Sequence, residues 1–250
     1  MASHFECLGF PLTPGSTPEE LAAVAEKIFD AGEPRGAPEG FRATLWKGPE
    51  GAAAFGALAA GADGLVLQCL TPTFLGATRL PARVLRALPD RECCFCDFLH
   101  AEVIVRGGRG YPLFLELRDE AYAREMDLRG AEVVLQVNLL AQQVRAYDGR
   151  EAFERERTED LAPESLVPTG LLGTPPAARA AVTGEVVAAA TLVNSATGAP
   201  FVHARLRTIG GEYDLCAASR DLPAGLREGQ VVQASCSVIG RVVEGLPAPA

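Results

Sequence analysis

The residues best suited to chemistry lie in the stretch "DRECCFCDFLHAE", positions 90–102. It places cysteines at 93, 94 and 96, followed by His100 and Glu102. Thiolate, imidazole and carboxylate groups are ligands for a metal such as zinc, and they are also the setting in which a thiol becomes a nucleophile. Strand alternation decides which of them can act together. Cys94, Cys96, His100 and Glu102 fall on one face of an extended chain, whereas Cys93 falls on the other with Phe95, Asp97 and Leu99. That split separates the two ends of Cys93-x-x-Cys96, and the chain has no second Cys-x-x-Cys to complete a tetrahedron. The candidate metal set is therefore Cys94, Cys96, His100 and Glu102, with Glu116 on the following segment as a neighbour. The competing reading is a core strand in which cysteine is simply a small apolar residue.

A second candidate is "FVHARLRT", positions 201–208. Phe201, His203, Arg205 and Arg207 alternate onto one face, and Val202, Ala204 and Leu206 onto the other. An aromatic ring beside two guanidinium groups can stack a base and hold phosphate, and Tyr213 on the next segment would add a second ring. The competing reading is a solvated face. The chain has no Gly-rich phosphate loop, no Gly-x-Ser-x-Gly elbow, no His-Glu-x-x-His and no acidic calcium loop, and only three histidines. No catalytic residue and no cofactor is assigned, which favours a binding protein over an enzyme.

These side chains need a scaffold. "HFECLGFPL" (4–12) is predicted as a first strand. "TPEELAAVAEKIFDAG" is a helix signal: Thr17 as N-cap, Pro18 at the first position, Glu20 closing a capping box, and Leu21, Val24, Ala25 and Ile28 on one apolar face. Gly32 is expected to end it in a left-handed conformation. Three short strands follow at 41–47, 52–60 and 64–70, joined by the turns "GPEG" and "GADG", with a helix as the alternative for the Ala-rich 52–60. Residues 71–92 read as a connection. A hairpin around "RGGRG" joins 93–105 to 111–119, and 132–148 begins as an alternating strand. Residues 149–180 are charged, then rich in Pro and Gly, which suggests a short surface helix followed by a linker. The last segments, 181–193, 201–209, 212–218 and 230–244, read as strands that would close into a small barrel or sandwich.

Composition bounds the partners. The net charge is −9, and residues 1–175 carry all of it, because residues 176–250 hold six basic and six acidic side chains. A polyanion gains no global attraction from such a chain, so single-stranded nucleic acid is a reading only through the local stripe at 201–207. A protein partner fits an acidic first half better. The N-terminus has no secretory pattern, and no stretch reaches the ~18 apolar residues of a membrane span. Seven cysteines, an odd number, fit reduced thiols, hence a cytoplasmic location. High Ala, Arg, Pro and Gly with lysine only at 27 and 47 suggests a GC-rich bacterial coding sequence.

Two resemblances follow. "VTGEVVAAATLV", the turn at Thr197–Gly198, the turn at Gly210–Gly211 and "LREGQVV…SVIGRVV" resemble the OB-fold, a five-stranded binding barrel. Only four strand runs are visible there, so the fifth is expected from splitting a long one. The order strand, helix, three strands over about the first 70 residues resembles one module of the vicinal oxygen chelate (glyoxalase-like) family. That resemblance implies a metal site with His4 at a ligand position, although "AAAFGALAA" lacks the acidic ligand. The expected architecture is α+β: an acidic antiparallel-sheet domain at 1–150, a linker at 151–180 and an OB-like barrel at 181–245. The expected function is binding or interaction through the barrel or the cleft between domains. Single-stranded nucleic-acid binding and a glyoxalase-like enzyme are the alternatives.

Overall fold

The structure is a computed structural model that describes residues 3–61, 64–89, 96–105, 107–108, 110–117, 128–157 and 161–245. The predicted first strand is not formed. A single 3-10 turn, Glu6–Leu8, takes its place, and the Phe10 N–H returns to the Phe5 carbonyl at 3.0 Å. Cys7, Leu8, Phe10 and Leu12 are all buried by this turn. The helix α1, Pro18–Ala31, forms as predicted. The Glu20 N–H donates to the Thr17 hydroxyl, the Thr17 N–H donates to the Glu20 carboxylate, and Val24, Ala25 and Ile28 are buried. Gly32 is extended, with φ −85°, rather than left-handed. Crowding explains the glycine, since a Cβ there would lie 2.5 Å from the Ile28 carbonyl and the Thr44 hydroxyl.

The strands β1 (Glu33–Arg35), β2 (Phe41–Lys47), β3 (Ala52–Gly61) and β4 (Gly64–Phe74) make an antiparallel sheet in sequence order. Trp46 meets Phe10 edge-on at 5.8 Å in an apolar cluster that includes Val24 and Ile28 of α1. Ala43, Leu45, Phe55 and Cys69 cluster with Cys96 from the rest of the molecule.

The remainder is one mixed sheet that closes on itself. Its strands are β5 (Leu80–Pro89), β6 (Asp97–Val103), β7 (Tyr111–Leu117), β8 (Glu132–Tyr147), β9 (Ser165–Val167), β10 (Arg179–Val193), β11 (Pro200–Thr208), β12 (Gly211–Ala218) and β13 (Val231–Glu244), with helix α2 (Arg150–Glu156) after β8. One ring runs β10, β11, β12, β8, β13 and back to β10. A second runs β5, β6, β7, β13, β8 and back to β5. The long antiparallel pair β8–β13 belongs to both. The chain is thus mostly β with two helices among the described residues.

Three sequence expectations change here. The fifth strand of the C-terminal ring is β8, contributed from before residue 150, so the strands of 181–245 do not close alone. The segment 151–180 therefore joins strands of one ring and contains α2 and β9. Residues 71–92, read as a connection, hold the end of β4 and all of β5. In β5, Leu80, Ala82 and Val84 are buried while Pro81 and Arg83 are exposed, a half-buried alternation masked by a proline at each end of the run.

The two rings are copies of one plan. Each is a three-strand meander followed by a long strand: β5–β6–β7 then β8, and β10–β11–β12 then β13. In both, the first strand bulges after a valine, Val84 or Val186. In both, that valine is clasped by the loop before the long strand. Val84 exchanges bonds with Gly130 and Ala131 at 2.8 and 2.9 Å, and Val186 does so with Gly229 and Gln230 at 2.9 and 2.8 Å. In both, the third strand pairs in parallel with the other copy's long strand. A pseudo-twofold axis passes through the Leu139–Val238 pair, because Asn138 meets Ile239 as Leu140 meets Ser237. The interiors form one continuous core, with Leu99, Leu115, Leu135, Val202, Leu215 and Val238 among its buried residues.

Candidate functional site

The predicted metal set is dispersed. Cys94 lies outside the described residues. Cys96, 1% exposed, is packed into the cluster beneath the first sheet. His100 and Glu102 lie half-buried on the outer face of β6. Phe98 stacks flat on Phe114 with 5.5 Å between centroids, and His100 stands edge-on to Phe114 at 6.2 Å. Burial and then the nearby Arg86 charge lower the His100 pKa, and its Nε2 is buried without a hydrogen-bond partner among the described residues. Glu116 lies opposite Phe98 in register. Among the described residues no group of three or more His, Cys, Asp or Glu is placed to hold a metal ion. His4, the ligand position implied by the glyoxalase-like resemblance, bonds to the Ser237 hydroxyl at 2.6 Å.

On β11 the alternation is as read from the sequence. Val202, Ala204 and Leu206 point into the ring core, and Phe201, His203, Arg205 and Arg207 share the outer face. Phe201 is fully buried there beneath the N-terminal residues. Arg205 pairs with Glu212 at 2.9 Å, and Arg207 pairs with Glu185 at 2.7 Å. Tyr213 does not join this face. Its cross-strand partner is Leu206, so it points inward, and its hydroxyl bonds to that of Tyr111.

His203 sits at the edge of a buried polar network. Its Nε2 lies 2.9 Å from the Asp214 carboxylate, whose other oxygen accepts from the Thr78 hydroxyl at 2.6 Å. The Gln136 and Asn138 side-chain amides both donate to the Phe74 carbonyl, at 3.1 and 2.7 Å, and the Arg241 Nε–H donates to Gln136 at 3.1 Å. The Phe74 ring stacks on the His203 imidazole at 4.4 Å. Burial opposes ionisation of Asp214. The His203 and Thr78 hydrogen bonds and the His203 charge outweigh it and hold the carboxyl below its usual range. A histidine oriented by a buried carboxylate is a general-base arrangement. Here the hydroxyl in reach, Thr78, is bound to the carboxylate and not to the imidazole. What the network does visibly is fasten the strand leaving β4 onto the ring. Gln136 and Asn138 were not read as functional, although two amides inside the apolar run 133–140 were a visible signal of buried polar contacts.

Three thiols gather where the N-terminal turn meets the ring. The Cys7 thiol donates to the Ala141 carbonyl at 3.1 Å. Burial, followed by the Asp221 and Glu6 charges, pushes its pKa up to about 12, and burial also raises Cys216 and Cys236. Such thiols are inert packing groups. A shallow cleft of about 220 Å³ opens beside this turn, where Pro11 faces Pro200 and Arg220 pairs with Glu6 at its margin. Among the described residues no helix is long and apolar enough to cross a membrane. No family model matches the chain, and no curated protein or solved structure does either.

Proposed function

We propose that this chain is a protein-interaction module in which OB-like rings dock segments of polypeptide on their outer faces. In OB barrels the ligand face is formed by the second and third strands. The corresponding face of the C-terminal ring, β11–β12, already holds polypeptide. Phe201, Cys216 and Ala218 share an apolar cluster with Cys7, Leu8 and Phe10, and Phe74 stacks on His203. This internal docking is the observation that carries the reading. The same face of the other ring, β6–β7, presents half-buried Phe98 and His100, which pack against the buried Phe114 ring. It suits an apolar partner segment bearing an aromatic ring, as the N-terminal segment and Phe74 suit its twin.

Nucleic-acid binding has less support. Arg205, Arg207 and His203 each face a carboxylate of the chain itself, which leaves little positive potential for phosphate. A glyoxalase-like metal enzyme would need a ligand cluster that the described residues do not provide.

The test is affinity capture with the full chain and with Phe98→Ala, whose folding is checked by thermal melting. Specific protein partners should be recovered by the wild type and lost by the variant. Identical recovery by a folded Phe98→Ala would overturn the reading. Salt-sensitive binding of single-stranded oligonucleotide, abolished by Arg205→Ala/Arg207→Ala, would replace it with the nucleic-acid one.

A further inference from the structure

The four-stranded sheet guards one of its edges and not the other. At the guarded edge, β1 is three residues long, carries Pro34 between two charges, and is tied down by Glu33–Lys47 at 2.8 Å. Short length, proline and charge are the usual protections against strand pairing. At the other edge, β4 is the last strand among the described residues. Its first half, Gly64–Gln68, carries no charge, and Leu65 and Val66 are 59% and 49% exposed. Consecutive strand residues point to opposite faces, so this part of the ribbon is apolar and wet on both sides. Its tip also outruns β2, whose last pair is Phe41–Ala59: beyond it Gly64 and Leu65 pair only with Gly61 and Ala60 of β3, and one flanking bond remains, from the Ala60 N–H to the Gly40 carbonyl at 3.4 Å. A two-stranded tip adds little stability of its own in water.

We infer that two copies of this chain pair through β4, antiparallel about a twofold axis, to make one continuous sheet from their two four-stranded sheets. Charge selects a second copy as the occupant. Residues 51–78 contain one charged side chain, Asp63, within the region that carries the entire net charge of −9. Two such acidic chains repel wherever carboxylates meet, and this neutral stretch lets them approach without that penalty. A basic partner would be drawn to the acidic surface instead. Antiparallel pairing of identical edges is also isologous, so it closes at two copies and covers both bare edges. This inference is independent of segment docking on the ring faces.

Light scattering coupled to size-exclusion chromatography, at up to about 100 µM protein, tests it directly. The wild type should show the mass of a dimer. Val66→Lys, which changes an exposed side chain and should leave the fold intact by circular dichroism, should run as a monomer, while Val66→Ile should stay dimeric. A monomeric wild type over the whole range overturns the inference. So does a dimer that persists in Val66→Lys, because it would be built on another surface. A wild type that is monomeric yet loses a captured protein on Val66→Lys would assign the edge to a different partner and also overturn it.

Discussion

Tyr111 and Tyr213 meet hydroxyl to hydroxyl, and each holds the same position in its own copy of the three-strand meander. Tyr111 stands opposite Val103, and Tyr213 stands opposite Leu206 in the matching register. Equivalent residues in contact must lie at the axis that relates them, so this bond marks where the two rings face each other. Burial pushes the Tyr111 phenol pKa up, which keeps it protonated and able to donate.

Replacing Tyr213 by Phe should strand the Tyr111 hydroxyl and cost about 1–2 kcal/mol, and Tyr111→Phe should cost a similar amount. The double variant should cost less than the sum, because no unpaired hydroxyl remains. Urea unfolding of the four proteins measures the coupling, and simple additivity would show that the bond contributes nothing.

The Asp214 pair gives a pH signature. Its folded pKa lies below the unfolded value of about 3.9. Its contribution is therefore complete above that value and is lost as the pH falls through the folded pKa. Asp214→Asn should destabilise the protein by about 3 kcal/mol at neutral pH. The gap to the wild type should narrow as the solution is acidified below about pH 4. A gap that stays constant down to pH 2 would rule this linkage out.

The loops that clasp Val84 and Val186 should respond alike to the same substitution. Gly130 and Gly229 both have φ +82°, and a Cβ on either would meet no atom within 4 Å. Only left-handed strain is then at stake, so Gly130→Ala and Gly229→Ala should each cost about 1 kcal/mol. Thermal melts of the pair check this, and a large asymmetry would mean the loops are not equivalent.

The raised thiols predict reactivity. Cys7, Cys216 and Cys236 should resist alkylation by iodoacetamide at pH 8 in the native protein and react fully in denaturant. Peptide mass spectrometry resolves each site, and native labelling of Cys216 would contradict its burial.

The local periodicities were legible in the sequence. The capping box of α1, the antiparallel pairing of β2, β3 and β4, the antiparallel pairing of β6 with β7 and the alternation along β11 all appear in the structure. The stretch 4–12 misled because apolar residues spaced like a strand are buried equally well by a tight turn. The ring closure was not legible, because β8 meets β12 and β13 across a long stretch of chain and nothing local encodes that pairing. The repeat was legible but needed the chain compared with itself. Phe98-Leu99-His100-Ala101 matches Phe201-Val202-His203-Ala204, Tyr111 and Leu113 match Tyr213 and Leu215, and Leu128-Arg129 matches Leu226-Arg227. The two candidate sites, read from the sequence as unrelated, are one position occurring twice. They differ where chemistry would be decided: Asp214 and Cys216 in one copy stand where Pro112 and Phe114 stand in the other.

The sharing of β8 and β13 has a consequence for how the molecule comes apart. Each half of the chain lends the other the strand that seals it, as two subunits do in a strand-exchanged dimer, and here one tether between α2 and β9 keeps the partners together. A chain nicked in that tether should remain assembled, and the halves made separately should be poor solitary folders that recover their structure on mixing.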